Sequence, residues 1–390
     1  MLLALGVGVL IGPRVFGVID LERAVEPGRV LEHLARVALA LSVFDIALRT
    51  TPSDLRRNAK RITILLAVVM PGMWLLTSLG AGLFLGFPLA VALLLGATLT
   101  PTDPGVASAL VTGVLADRML PRRVRMSLQV EAGANDGLAL PFVVLSGLLA
   151  TLPGSQAVAE WVVEVGRQLA VAVVVGLAVG AAVRWLTRLS GAHRLAGEDW
   201  FPLTSIGTSL TVVALAHVLG GIGVFAAFLA GLIFSDGLSE GLREPIQNVH
   251  RSATKIALTG VFIAFGMVLP FDRWWPELGA GGLGFALWTL AFRRLPVAFP
   301  AVRAVGTGRV SSAFIGWSGP LGVAAIYYLA YIQRYKFADY ERVFLAGSLA
   351  VTASVVGQTV TSAAAVRGYA RLAGAGVDEG EELEFDAPLP

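Results

Sequence analysis

The sequence predicts an all-α polytopic membrane protein. Three observations carry that expectation. Of its 390 residues 56% are hydrophobic and only 15% charged, against about 25% charged in a soluble domain. Mean hydropathy is +0.75. Apolar stretches of near-spanning length recur from end to end, separated by short clusters of basic residues. A soluble core of this size would need a polar shell that the chain cannot supply.

The candidate spans lie near 1–12, 30–49, 62–86, 88–114, 126–150, 163–189, 202–219, 222–237, 256–271, 279–298, 311–332 and 342–366. The first is too short for a hydrocarbon core that needs about 20 residues. A leading helix ahead of Met1 is therefore expected, or Met1 is an internal start. "MLLALGVGVLIGP" has neither a basic start nor a small-residue cleavage site, so it does not read as a signal peptide.

Orientation follows from Lys and Arg in the loops. The basic loops are 49–61, 117–125, 184–194, 243–255 and 293–309, and two spans separate each neighbouring pair. All five then fall on the cytoplasmic side of a plasma (inner) membrane, and the C-terminus with them. "QRYKFADYER" (333–342) falls outside under this scheme despite three basic residues. The membrane unit spans 1–376; the acidic tail 377–390 reads as disordered and cytoplasmic. The pI near 9.4 reflects this loop pattern and does not point to nucleic acid. There is no cysteine, which excludes disulfides and thiol chemistry. His33, His193, His217 and His250 show no metal-ligand spacing and read as loop or packing residues.

Two segments share a pattern: "TDPGVASAL" (102–110) and "SGPLGVAAI" (318–326) each place a proline just before a Gly-Val-Ala run or its near copy. A proline inside a helix removes a hydrogen bond and clashes with the preceding turn. Both spans are expected to break into half-helices. Matching broken helices in two halves of a chain point to a transporter's binding site at mid-membrane.

Carboxylates collect at this place. Asp103 lies at the first break, and Asp136 in "EAGANDG" (131–137) on the next span; Asp45 lies late in the second span, four residues before Arg49. Glu131 and Asn135 are i and i+4, hence on one helical face. A charge at the bilayer centre costs at least about 2.5–3.5 kcal/mol and is kept for a partner or a cavity. Carboxylates, the Thr100 and Thr102 hydroxyls, the Asn135 amide and freed carbonyls are hard oxygen ligands. They suit Na⁺ and similar ions. Desolvation favours the uncharged form of a carboxyl group, so the proton competes for such a site. A carboxylate that holds either cation or proton, exposed alternately to two sides, is sufficient for exchange.

"FDIAL" (44–48), "TDP" (102–104), "EAGANDG" (131–137) and "GWSGPLG" (316–322) together resemble the sodium/proton exchanger family of NhaP type, in order along nearly the whole chain. The resemblance implies a fold of inverted repeats with two crossed broken helices, an ion-binding core and a dimerisation domain, hence a homodimer. It implies that Asp136 binds cation and proton, that Asp103 and Thr102 add ligands, so that Asp136 and Asp103 hold Na⁺, and that Asn135 organises the site. Asp45 would contribute a water-mediated contact. Glu131 would form a structural ion pair with Arg293 or Arg294, with Arg293 favoured. The Asn-Asp pair implies electroneutral exchange. No cofactor and no enzymatic step are implied; the partners are monovalent cations (Na⁺, K⁺ or Li⁺), protons and lipid. Four departures stand out: Ala132 for the family's Ser, Asp45 for Glu, Leu321 for Arg in the second break, and one helix fewer than the family's thirteen.

Other features invite less. The hydroxyls of "TSIGTSLTVV" (204–213) and "GQTVTS" (357–362) are expected to bond back to their own helices. "GAGG" (279–282) lacks the Gly-Lys-Ser/Thr of a phosphate loop, and Trp274 and Trp275 read as an interfacial belt. Two rival functions remain: a Na⁺-coupled organic anion transporter on the same fold, which would need more arginine facing its cavity, and a non-transporting membrane scaffold or sensor.

Overall fold

A computed structural model describes residues 1–21, 26–103, 119–193, 201–238 and 240–374. Every regular element among the described residues is helical. We number them α1 (Leu2–Ile11), α2 (Pro27–Arg49), α3 (Pro52–Ile64), α4 (Met70–Leu85), α5 (Leu89–Thr98), α6 (Arg122–Leu138), α7 (Leu140–Thr151), α8 (Gly154–His193), α9 (Phe201–Val218), α10 (Gly223–Asp236), α11 (Glu240–Val268), α12 (Phe271–Ala291), α13 (Leu295–Ala304), α14 (Arg309–Trp317), α15 (Val323–Tyr331) and α16 (Tyr340–Gly374). Six stretches are long and apolar enough to cross a membrane by length and composition, among them Arg122–Thr151, Phe271–Ala304 and Tyr340–Gly374. The acidic tail and the second half of the span expected at 88–114 lie outside the described residues.

Prolines and local caps set the boundaries. Pro52 opens α3, and Thr51 and Asp54 cap it reciprocally in a capping box. Pro71 would clash with the carbonyl four residues back in a regular helix; the chain widens into a π turn over Leu65–Val69 and continues as α4. Pro141 opens α7 directly after α6. Pro296 opens α13, so the span expected to end near 298 is split at Arg293–Arg294 and resumes to Ala304. The basic loop expected at 293–309 therefore begins only after Ala304: Arg293 and Arg294 lie inside the protein, 2% and 4% exposed.

α2 is the hub, packed against α6, α9, α10, α11 and α15. α15 is buried at every position, and α6 at most of them. Both are enclosed by protein, as expected for α15, which is apolar on all faces; α6 is enclosed despite its polar residues. Close crossings rest on glycine. At α1 and α11, a Cβ at Gly266 would overlap the Leu5 carbonyl and crowd Gly8.

Hydrogen bonds draw the basic loops to one face. Arg61 donates to Thr307 Oγ1 at 3.1 Å. Arg122 reaches Asp54 at 3.4 Å, Arg184 pairs with Asp236 at 2.6 Å, and Gln247 donates to the Leu48 carbonyl at 2.8 Å. The end of α16 joins the same face through Tyr369 and Ser311, 2.9 Å apart. The segment 333–342 sits at the opposite face with its charges engaged. Arg334 pairs with Glu32 at 2.9 Å and stacks 3.5 Å over the Tyr331 ring, and Arg342 donates to the Leu85 carbonyl at 2.9 Å.

Replacing Gly266 with Ala should destabilise the fold by about 1–3 kcal/mol through overpacking. Gly260→Ala, on the same helix with nothing within 4 Å of its added Cβ, should be neutral or stabilising. Thermal melting of the two purified variants separates the cases.

Candidate functional site

The site begins with backbone that has lost its helical partners. Pro101 ends α5, because it has no N–H and disfavours helix at the residue before it. The chain then runs unwound over Leu99–Asp103. α14 likewise stops at Trp317, and residues 318–322 run unwound before α15. In a membrane every freed N–H and C=O needs a protein partner. The two breaks supply some for each other: Asp103 N–H donates to the Pro320 carbonyl at 2.9 Å. Asp103 Oδ2 accepts from Val323 N–H at 2.5 Å, so the carboxylate caps the α15 N-terminus, where the helix dipole favours negative charge. A Cβ at Gly322 would overlap that carboxylate, and one at Gly319 would overlap the Arg294 side chain. The two glycines of "GPLG" are there for room.

The carbonyl ends are met by a cation. Arg293 donates to the carbonyls of Leu99 (2.6 Å), Thr100 (3.2 Å) and Pro101 (3.4 Å), and also to that of Gly319. One guanidinium thus sits at the C-terminal ends of both half-helices, where the dipole favours positive charge. It supplies the charge near the crossing that Leu321 withholds.

The structure corrects the expected ion pair. Glu131 is bound not by Arg293 but by Arg294, in a bidentate pair at 2.6 and 2.7 Å, with Arg294 Nε also donating to the Ile315 carbonyl at 3.0 Å. Both members are buried, at 1% and 4% exposure. The reason is local. The α12–α13 break turns neighbouring side chains to different sides, and only Arg294 faces α6 while Arg293 is taken up by the breaks.

Asn135 clamps the first break to α6. Its Oδ1 accepts from Thr102 N–H at 3.2 Å, and its Nδ2 donates to Thr102 Oγ1 at 2.8 Å and Glu131 Oε1 at 3.4 Å. The amide oxygen expected as a cation ligand is therefore occupied. The Thr100 hydroxyl donates back to the Gly96 carbonyl at 2.8 Å. Asp45 is paired with Arg49 one turn along α2, at 2.6 Å through Oδ2. An arginine four residues away on one helical face reached it first.

Asp136 is the exception to this pairing. It is 1% exposed, and its Oδ1 has no hydrogen-bond partner among the described residues. Asp103 is the carboxyl group whose charge bears on it. Its main-chain carbonyl accepts from Tyr328 Oη at 2.6 Å. Tyr328 also lines a cavity of about 200 Å³ that contains Arg36, Glu164, Arg167, His217 and Arg334, on the face opposite the basic loops. Asp136 thus stands one residue below that cavity. Sequence reasoning did not find Tyr328, nor the carbonyl-capping role of Arg293. The second could have been suspected, since two adjacent arginines in an apolar span need two sets of partners.

The declined features behave as packing. Thr208 and Ser209 bond back to their own helix. His250 is buried between Ser205 Oγ and the Leu41 carbonyl, each at 2.9 Å. Trp274 donates to Ser348 Oγ at 3.1 Å.

The family model described as "Sodium/hydrogen exchanger, transmembrane" matches residues 1–367. The Na(+)/H(+) antiporter 2 of Zygosaccharomyces rouxii is 26% identical over 335 residues, covering 82% of this chain but only 41% of its own. The K(+)/H(+) antiporter NhaP2 of Shewanella oneidensis is 29% identical over 241 residues, covering 60% of this chain and 39% of its own. This chain thus spans less than half the length of either. The solved structure of the sodium proton antiporter MjNhaP1 from Methanocaldococcus jannaschii at pH 8 superposes with a TM-score of 0.71 at 20% identity, covering 97% of this chain and 92% of that one. At that identity the likeness establishes the fold.

Removing one partner of the buried pair leaves the other charge stranded and should cost about 3–5 kcal/mol. Glu131→Gln and Arg294→Met are each expected to lower the melting temperature and yield sharply. The double variant should recover part of the loss in a thermal double-mutant cycle. Arg293→Met should not be rescued by Glu131→Gln.

Proposed function

Because the chain belongs to the sodium/hydrogen exchanger family, we propose that it is a monovalent cation/proton antiporter in which cation and proton compete for Asp136. The carrying observation is the buried Asp136 carboxyl, with one oxygen unpartnered, next to a second carboxyl at two broken helices. A charged carboxylate in that position needs a counter-ion, and a neutral one needs a proton. Either satisfies it, and both together do not. Asp103 and Thr102 are the nearest further oxygen donors that belong to the unwound segment. Arg293 already occupies the freed carbonyls, so the cation would be held by carboxylate and hydroxyl oxygens, which suit alkali ions. Asn135 and the Glu131–Arg294 pair hold the geometry and take no part in transfer.

Alternating access follows if Asp136 opens in turn to the cavity above Tyr328 and to the basic face. In this reading the basic face is cytoplasmic in the cell membrane, the end of α16 lies with it, and the transporter is a homodimer with inverted repeats. One titrating carboxyl per cation makes exchange one for one and electroneutral. The two relatives differ in their named cation, sodium in one and potassium in the other; for this chain both ions, and Li⁺, are to be compared.

A second reading, cation-coupled uptake of an organic anion, has one observation in its favour: Arg36, Arg167 and Arg334 line the cavity. Each is already bound by Glu32 or Glu164. That leaves the antiporter as the better account. A scaffold without transport would not need the unpartnered carboxyl.

In everted vesicles with an acidified lumen, added Na⁺ or K⁺ should dequench a pH-sensitive dye with the wild type. Asp136→Asn should abolish the signal without loss of protein. Absence of cation-driven proton flux for all three ions sinks the proposal. The rate should also fall as the medium is acidified, because protons then displace the cation; a flat profile from acid to neutral contradicts competition. Collapsing the membrane potential with an ionophore should leave the rate unchanged if exchange is electroneutral.

A further inference from the structure

The stretch "GQTVTS" on α16 is only partly explained by back-bonding. Thr361 and Ser362 do bond to their own helix, at 2.7 and 2.9 Å. Gln358 does not. Its Nε2 donates to the Trp317 carbonyl at 2.9 Å, at the last residue of α14. One turn earlier, Ser354 Oγ accepts from the Leu321 N–H at 2.9 Å. These bonds grip the unwound segment 318–322 near its two ends. All three side chains at this junction, Ser318, Ser354 and Gln358, are more than nine-tenths buried, at 4%, 4% and 3% exposure.

The backbone of the break is then shared among three partners. Arg293 takes the Gly319 carbonyl, and Asp103 takes the Pro320 carbonyl and the Val323 N–H. α16 takes the Trp317 carbonyl and the Leu321 N–H. The two bonds to α16 lie close along the chain to those made by Asp103. A shift of α16 against the break would move Leu321 and, two residues on, the amide that caps Asp103. α16 also packs on α12, α14 and α15, the elements around both ends of the break.

We propose that Ser354 and Gln358 are positioning residues for the cation site, acting on Asp136 through the second break, the α15 N-terminus and Asp103. The proposal rests on the antiporter reading. Gln358 Oε1 and Ser318 Oγ have no hydrogen-bond partner among the described residues.

The test uses Ser354→Ala and Gln358→Met, with Ser354→Thr as the conservative control, in proteoliposomes. Ser354→Ala and Gln358→Met should each raise the apparent cation KM about three- to tenfold, the worth of one buried hydrogen bond. Maximal rate should stay within about twofold, and the pH of half-maximal rate should shift. Ser354→Thr should behave as the wild type. Hydrogen–deuterium exchange of peptides covering 318–323 should quicken in the first two variants only. Unchanged KM and pH profile in an active protein would falsify the positioning role, as would equal losses of maximal rate and melting temperature with KM unmoved. A wild type without cation-driven flux would instead remove the antiporter reading. Hydrogen exchange would then decide the strap alone, and unchanged exchange at 318–323 would overturn it.

Discussion

Backbone polarity without water governs this molecule. Two helices stop in the interior, and their freed amides and carbonyls need partners that lipid cannot offer. Arg293 collects carbonyls at the C-terminal ends of α5 and α14, and Asp103 caps the N-terminus of α15. Each charge sits where a helix dipole welcomes it, and each is neutralised in part by backbone. The breaks are therefore stable features and not local melting. The rest of the site is built around keeping them in place.

Against that background of satisfied groups, Asp136 differs. Around it, Asn135 is spent on Thr102, Glu131 on Arg294, and Asp45 on Arg49. A buried network that is fully paired specifies one arrangement. A network with one unpartnered carboxyl oxygen has a place for a mobile charge. On the antiporter proposal, cation and proton would compete at that oxygen. Leu321 brings no charge to the second break, and Arg293 brings positive charge to it from another helix.

Most of the other charged groups hold helices together. Glu131 and Arg294 tie α6 to the α12–α13 break and to α14. The arginines that line the upper cavity are held by Glu32 and Glu164. Tyr328, which lines that cavity, is joined to the main chain of Asp136.

Much was legible in the sequence. Low charge and recurrent apolar segments determined a helical membrane protein, and each expected span coincides with described helix, the one near 88–114 in its first part. The "SGPLGVAAI" pattern announced the second break at Pro320, since the loss of an N–H is a local fact; the first was expected at Pro104, outside the described residues, and the helix already ends ahead of Pro101. The motif at 131–137 meets the first break through Asn135, which bonds Thr102. Tertiary structure decided what spacing cannot. Whether Arg293 or Arg294 meets Glu131 depends on how the α12–α13 break is turned, and adjacent residues on a broken helix point to different partners. Asp45 pairs with Arg49 one turn along α2, as its spacing already allowed. Gln358, an unremarked polar residue in sequence, meets the Trp317 carbonyl because folding brought α16 against the second break. Pairing across helices far apart in the chain is set by packing, and local pattern carries no record of it.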